Sequence, residues 1–172
     1  MSEPTIGPAG PEDIETVRTL LLAYQAEFGF GPCFQGFGDE VATLPGAYVP
    51  PLGALLLLRD RAGIAGCVAL RPLPGRAAGI DGEIKRLYVR PSHRGQGAGR
   101  RLAMAVIEAA RRAGYARVFL DTMDQMTEAR ALYASLGFRE VPPYYDDPPS
   151  GVRCFVLELD DADAGNALAR TG

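Results

Sequence analysis

The chain has 172 residues, 47% of them apolar and 23% charged, with 18 Lys and Arg against 21 Asp and Glu and a formal net charge of −3. That length suits one domain with a full core, and the acidic balance argues against a nucleic-acid-binding role. Cys33, Cys67 and Cys154 are odd in number and widely spaced, and His93 is the single histidine. These counts exclude a zinc site or a His-based triad and point to reduced thiols in a cytoplasm. No run approaches the length needed to cross a membrane, residues 55–58 being apolar but only strand-long, and no basic-then-apolar leader is visible. The expectation is a cytoplasmic protein with no membrane partner.

In chain order, residues 5–9 read as a short strand. Gly10 and Pro11 open a helix with Glu12, Asp13 and Glu15 in its first turn, where acids complement the helix dipole. Ile14, Val17, Leu21, Tyr24 and Phe28 form its apolar stripe. Residues 29–51 are rich in Gly, Pro and aromatics (Phe30, Phe34, Phe37, Tyr48), with a short helix expected over 38–44. Residues 54–59 and 64–71 read as antiparallel strands joined by the turn Asp60-Arg61-Ala62-Gly63. After a Gly/Pro loop, residues 83–90 have strand composition, stopped by Pro91 and Ser92. A glycine-rich turn over 93–99 leads into a helix from Ala98, with Leu102, Val106, Ala109 and Ala113 at helical spacing. Residues 116–121 form a further strand, parallel to the previous one because a helix separates them. Thr122 and Gln125 resemble a capping box for a helix carrying Met126, Ala129, Leu132, Tyr133 and Leu136 and ending at Gly137. Residues 138–141 and 152–159 read as final strands around a polar-aromatic loop at 142–149. Residues 1–160 are expected as one domain, and 161–172 as a frayed tail. Strands, one βαβ crossover and flanking helices make an α/β domain with a mixed sheet.

The turn at residues 93–99 carries the chemistry. The first amides of a helix have no partner within it, and the dipole is positive there. Gly95, Gly97 and Gly99 remove side chains that would keep a ligand from those N–H groups. Between Lys85 and Arg117 lie nine basic residues against one acid, Glu108, in a chain that is acidic overall. The inference is a cradle for a phosphate-bearing ligand, most simply a pyrophosphate. A P-loop needs a Lys after its glycines, and none follows here. A dinucleotide fingerprint needs a third glycine where Arg100 stands, although Asp121 lies near the place of its ribose-binding acid.

Arg94-Gly-Gln-Gly-Ala-Gly99 matches R-x-x-G-x-G/A, the pyrophosphate signature of the GNAT superfamily of acyl-coenzyme A N-acyltransferases. The resemblance extends upstream through residues 83–89 and downstream through 131–138. It implies a GNAT-like fold: a central, mostly antiparallel sheet with one parallel, splayed strand pair, flanked by helices. It implies acetyl-coenzyme A as co-substrate, an amine acceptor on a small molecule or protein, and room for a homodimer. The cofactor would lie against the main chain of Leu87, Tyr88 and Val89 and against Arg94, Gly95, Gln96, Gly97, Ala98, Gly99 and Arg100. The break in alternation at Lys85-Arg86 is where a bulge would stand. In the family, residues like 29–51 lie beside the acceptor pocket. Met126 departs from the pattern, since many members have Asn there.

Acyl transfer to an amine needs a neutral amine, although alkyl amines have a pKa of about 10.4. It also needs a donor for the developing oxyanion and a proton for the leaving thiolate. Tyr133 stands where family members carry a tyrosine near the sulfur and is the candidate acid. Glu83 and Asp121 stand where members place the base. Lys85 and Arg86 could bind an acceptor carboxylate, and Tyr144, Tyr145, Asp146 and Asp147 could line the acceptor mouth. The alternatives are a non-catalytic acyl-coenzyme A-binding module and a Rossmann-like nucleotide-binding unit.

Overall fold

The computed structural model describes residues 3–31, 36–77 and 79–159. Seven strands form one sheet in the order β1-β2-β3-β4-β5-β7-β6: β1 (Thr5–Pro8), β2 (Ala54–Asp60), β3 (Gly63–Pro72), β4 (Asp81–Val89), β5 (Arg117–Met123), β6 (Arg139–Val141) and β7 (Val152–Glu158). Helices α1 (Ile14–Phe28) and α2 (Phe37–Ala42) cover one face; α3 (Ala98–Arg112) and α4 (Thr127–Ser135) complete the set. Every neighbouring pair is antiparallel except β4 and β5, which α3 connects. This is the mixed α/β sheet with one parallel pair that the sequence implies.

The apolar run in β2 shows why the sheet is a middle layer. Successive side chains of a strand point to opposite faces. Leu55 and Leu57 pack with Val17, Leu20, Leu21, Phe37 and Val41 of α1 and α2, whereas Leu56 and Leu58 pack with Leu102, Val106, Ile107 and Ala110 of α3. With both faces covered, the strand has no polar side to present, and alternation vanishes. Helix α1 enters through a 3-10 turn (Pro11–Asp13), where Asp13 accepts the Gly10 N–H at 2.7 Å. Gly29, at φ 72°, ends it. Leu20, fully buried, joins the stripe read from the sequence.

Two features of β4 position the site. At its start, buried Asp81 accepts from Arg117 Nε and Nη2 at 2.8 and 2.9 Å, clamping β4 to β5. In its middle, Cys67 pairs with Tyr88 but Ala69 pairs with Lys85, so Arg86 and Leu87 oppose Val68 alone. Arg86 takes φ 59° there. This is the bulge expected from the broken alternation. Gly66 lets β3 approach it: a Cβ would lie 2.7 Å from the carbonyl oxygen of Tyr88.

The capping box expected at Thr122 and Gln125 is not formed. The ladder with β7 carries β5 through Met123, Thr122 pairs with Arg153, and the Thr122 hydroxyl turns to Met126 Sδ at 3.1 Å. Helix α4 therefore begins at Thr127. The tail expected over 161–172, together with Cys33 and Phe34, lies outside the described residues.

Gly66→Ala is expected to destabilise the protein by about 1–3 kcal/mol, because the clash is with main chain that cannot rotate away. A lowered denaturant midpoint with an unchanged m-value would show it; an unchanged midpoint would mean that β3 and β4 can separate at no cost.

Candidate active site

The β4–β5 pairing covers only Asp81 with Arg117, Gly82 with Val118 and Glu83 with Phe119. Beyond Glu83 the strands part, and a cleft of about 670 Å³ opens between them. Its walls include Ile84 to Val89 of β4, Asp121 and Thr122 of β5, Leu132 and Tyr133 of α4, and Tyr24 and Glu27 of α1. Leu87, Tyr88 and Val89 thus stand along the cleft on an edge of β4 that β5 has left unpaired.

At the foot of the cleft is the glycine turn. Gly95 and Gly97 have φ 76° and 77°, and a Cβ at either would meet nothing within 4 Å. No main-chain hydrogen bond outside helices and strands is donated by residues 95–100 among the described residues. Amides at a helix start, beside two glycine positions with open space around them, fit a diphosphate. Arg94, Gly95 and Gly99 line the cleft, whereas Gln96, Gly97, Ala98 and Arg100 stand outside its lining. Arg100 donates to Ser135 Oγ at 2.8 Å, tying α3 to α4.

Arg94 does not stand free for a phosphate. Its Nη2 donates to Glu27 Oε2 at 2.8 Å, its Nε donates to the Val89 carbonyl at 2.9 Å, and its guanidinium lies 5.5 Å from the Tyr88 ring centroid. The bond from Arg94 holds the Glu27 carboxyl below its usual range. Here α1 supplies a counter-ion that the signature alone does not reveal.

The two candidate bases sit in one buried polar network. Glu83, 2% exposed, accepts from Arg71 Nε at 2.8 Å and from the Tyr144 hydroxyl at 2.9 Å. Asp121 accepts from Lys85 Nζ at 3.1 Å and from the Tyr145 hydroxyl at 2.8 Å. Lys85 also approaches Glu83 Oε1 at 3.6 Å and so bridges the acids. Asp121 and Lys85 line the cleft, while Glu83 lies one layer behind. Tyr144 and Tyr145, expected at the acceptor mouth, are hydrogen-bond donors to the two carboxylates.

Arg86 and Lys85, considered as anchors for an acceptor carboxylate, are already engaged. Arg86 forms a two-pronged pair with Glu40 at 2.8 and 2.7 Å and lies 4.9 Å from the Phe37 ring centroid. Burial works to raise the Glu40 carboxyl, but the hydrogen bonds and charge of Arg86, with help from Tyr48, bring it below the usual range. No sequence signal marked this pair, because its partners are 46 residues apart and meet only through α2 packing.

Tyr133 is 7% exposed, packed edge-on to Phe138 at 5.6 Å between centroids, and lines the cleft. Burial, with smaller contributions from Tyr24 and Asp121, pushes its phenol above the ordinary tyrosine value. It therefore stays protonated at any physiological pH. Met126, where many family members carry Asn, also lines the cleft.

A model of the acetyltransferase (GNAT) family matches residues 23–138, and the chain belongs to that family. An uncharacterized N-acetyltransferase of Schizosaccharomyces pombe is 39% identical over 150 residues, covering 87% of this chain and 90% of the relative. One of Escherichia coli is 33% identical over 133 residues, covering 76% and 78%. Among solved structures, a GNAT acetyltransferase of Staphylococcus aureus aligns with TM-score 0.75 at 21% identity over 92% of this chain and 100% of that one. The Salmonella typhimurium protein yncA, solved with its cofactor acetyl-coenzyme A, aligns with TM-score 0.66 at 21% identity over 93% and 96%. The family uses acetyl-coenzyme A.

Replacing Glu40 with Ala leaves Arg86 buried without a counter-ion, and a loss of about 3–5 kcal/mol is expected. Because the folded-state pKa of Glu40 lies below its unfolded value, the pair contributes fully above pH about 4.5 and fades as pH falls through the lower folded value. The stability gap between the wild type and Glu40→Ala, measured by denaturant titration, should therefore close in acid. A gap independent of pH would show that packing, not charge, holds α2.

Proposed function

We propose that the chain is an acetyl-coenzyme A-dependent N-acetyltransferase acting on a primary amine of a small molecule or protein. The observation that carries this reading is the parting of β4 from β5 after Glu83 and Phe119, together with the glycine turn whose amides open α3. Those amides, at residues 95–100, would hold the pyrophosphate. The edge of β4 that β5 leaves unpaired at Leu87, Tyr88 and Val89 would pair with the amide-bearing arm, and one of its N–H groups would orient the thioester carbonyl. Acetyl-coenzyme A, when bound, supplies the activated acyl group.

The remaining work falls to side chains. Asp121, in the cleft wall, takes the proton from the acceptor amine. Glu83 supports it from behind through Lys85, and hydrogen bonds from Tyr145 and Tyr144 orient the two carboxylates. Tyr133 holds its proton at the hydroxyl and donates it as a hydrogen bond to the thiolate that leaves. Its raised pKa makes complete transfer less favourable than hydrogen bonding, which suffices to stabilise developing charge.

Calorimetric titration is expected to show selective binding of acetyl-coenzyme A over NAD and ATP. Gly97→Glu should abolish it, since it places a carboxylate at φ 77° in the anion cradle. Binding of NAD or ATP in its place would refute the reading. Tyr133→Phe and Asp121→Asn should each lower the maximal rate of thiol release with an amine by about 10²-fold or more, with cofactor binding retained. Binding without thiol release for any amine would identify a non-catalytic acyl-coenzyme A-binding module.

A further inference from the structure

Lys85 is the only lysine in the chain. Its ammonium lies 3.1 Å from Asp121 Oδ1 and 3.6 Å from Glu83 Oε1, on a side chain 5% exposed. Lys85, Asp121 and Tyr133 all line the one cleft. The backbone that carries Lys85 is held on both sides, by the ladder partner Ala69 and by the Arg86 bulge pinned to Glu40. A primary amine is thus fixed against the two carboxylates assigned above to an external amine.

An alkyl ammonium is not a nucleophile; it becomes one when a neighbouring base takes its proton. Lys85 has such bases within reach, and burial shields it from acetyl donors free in solution. It is reachable only by an acyl group delivered inside the cleft.

We propose that Lys85 is an internal acceptor: when acetyl-coenzyme A fills the cleft and no external amine is present, the acetyl group passes to Lys85 Nζ. This rests on the reading of the cleft given above. Lys85 first gives one proton to the Asp121 carboxylate, which releases it to solvent. The neutral nitrogen then bonds to the carbonyl carbon, the C–S bond breaks with its electron pair on sulfur, and the second proton leaving nitrogen ends on the thiolate. The products are Nε-acetyl-lysine at position 85 and free coenzyme A. The modification removes the cation that bridges Glu83 and Asp121.

The single lysine makes the test unambiguous. The 172-residue chain is incubated with acetyl-coenzyme A without amine, digested with trypsin, and its peptides are weighed. Trypsin does not cut after acetyl-lysine, so the modified peptide runs through Lys85 to Arg86. The expected result is one acetyl group at Lys85, absent from Gly97→Glu and from urea-unfolded chain treated identically. Acetylation of the terminal amine alone, or equal labelling of Lys85 in the unfolded chain, would overturn the proposal. Calorimetry on the same sample separates the two readings. Absence of binding defeats the cofactor assignment and this inference with it, whereas binding with Lys85 unmodified defeats this inference alone.

Discussion

The structure depends on a parallel pairing that stops after three residue pairs. Asp81 and Arg117 clamp β4 to β5 at the start, and the ladder is lost after Glu83 and Phe119. Had it continued, the β5-facing main-chain groups of residues 84–89 would be spent inside the sheet. Because it stops, they face a cleft. Buried main-chain polar groups need partners, so a free strand edge within a protein is a standing site for an extended, amide-bearing ligand. The same departure carries β4 into the glycine turn that opens α3, which sets the start of that helix at the end of the edge.

A local irregularity of β4 accompanies the departure. Arg86 adopts φ 59°, an uncommon conformation for a residue with a side chain. Its pairing with Glu40 and its contact with the Phe37 ring hold it there. Helix α2, six residues long and remote in sequence, therefore helps shape the central strand. A buried pair of this kind gives up much of its attraction to desolvation, so its effect lies more in fixing geometry than in adding stability. Lys85 with Asp121 and Arg71 with Glu83 repeat the pattern next to the cleft. Opposite charges there are matched in close pairs, and this local balance keeps so many ionised groups tolerable beneath the α1–α2 face.

Much of this was legible in the residues themselves. Period-2 and period-3.6 apolar patterns report burial directly, so the strands and α3 fell where they were read, and the broken alternation at Lys85-Arg86 marked a real bulge. Glycines before a helix start favour left-handed turn geometry, which is why the turn at Gly95 and Gly97 could be read without coordinates. What the chain order could not express were pairings between distant segments. The partners of Arg94 and Arg86 are Glu27 and Glu40, 67 and 46 residues away, and nothing local distinguishes these glutamates from surface charges. The same holds for Tyr144 and Tyr145, read as a loop at a pocket mouth and found as donors to Glu83 and Asp121. Thr122 carries the chemistry of a helix cap, but the β7 ladder claimed it, because hydrogen bonds to a neighbouring strand outweigh a local cap preference. Local periodicity and turn chemistry determined the elements and the glycine turn, since each depends on residues a few positions apart. Only the tertiary structure decided where the ladder ends and which charge meets which, since those depend on packing between segments that the sequence keeps far apart.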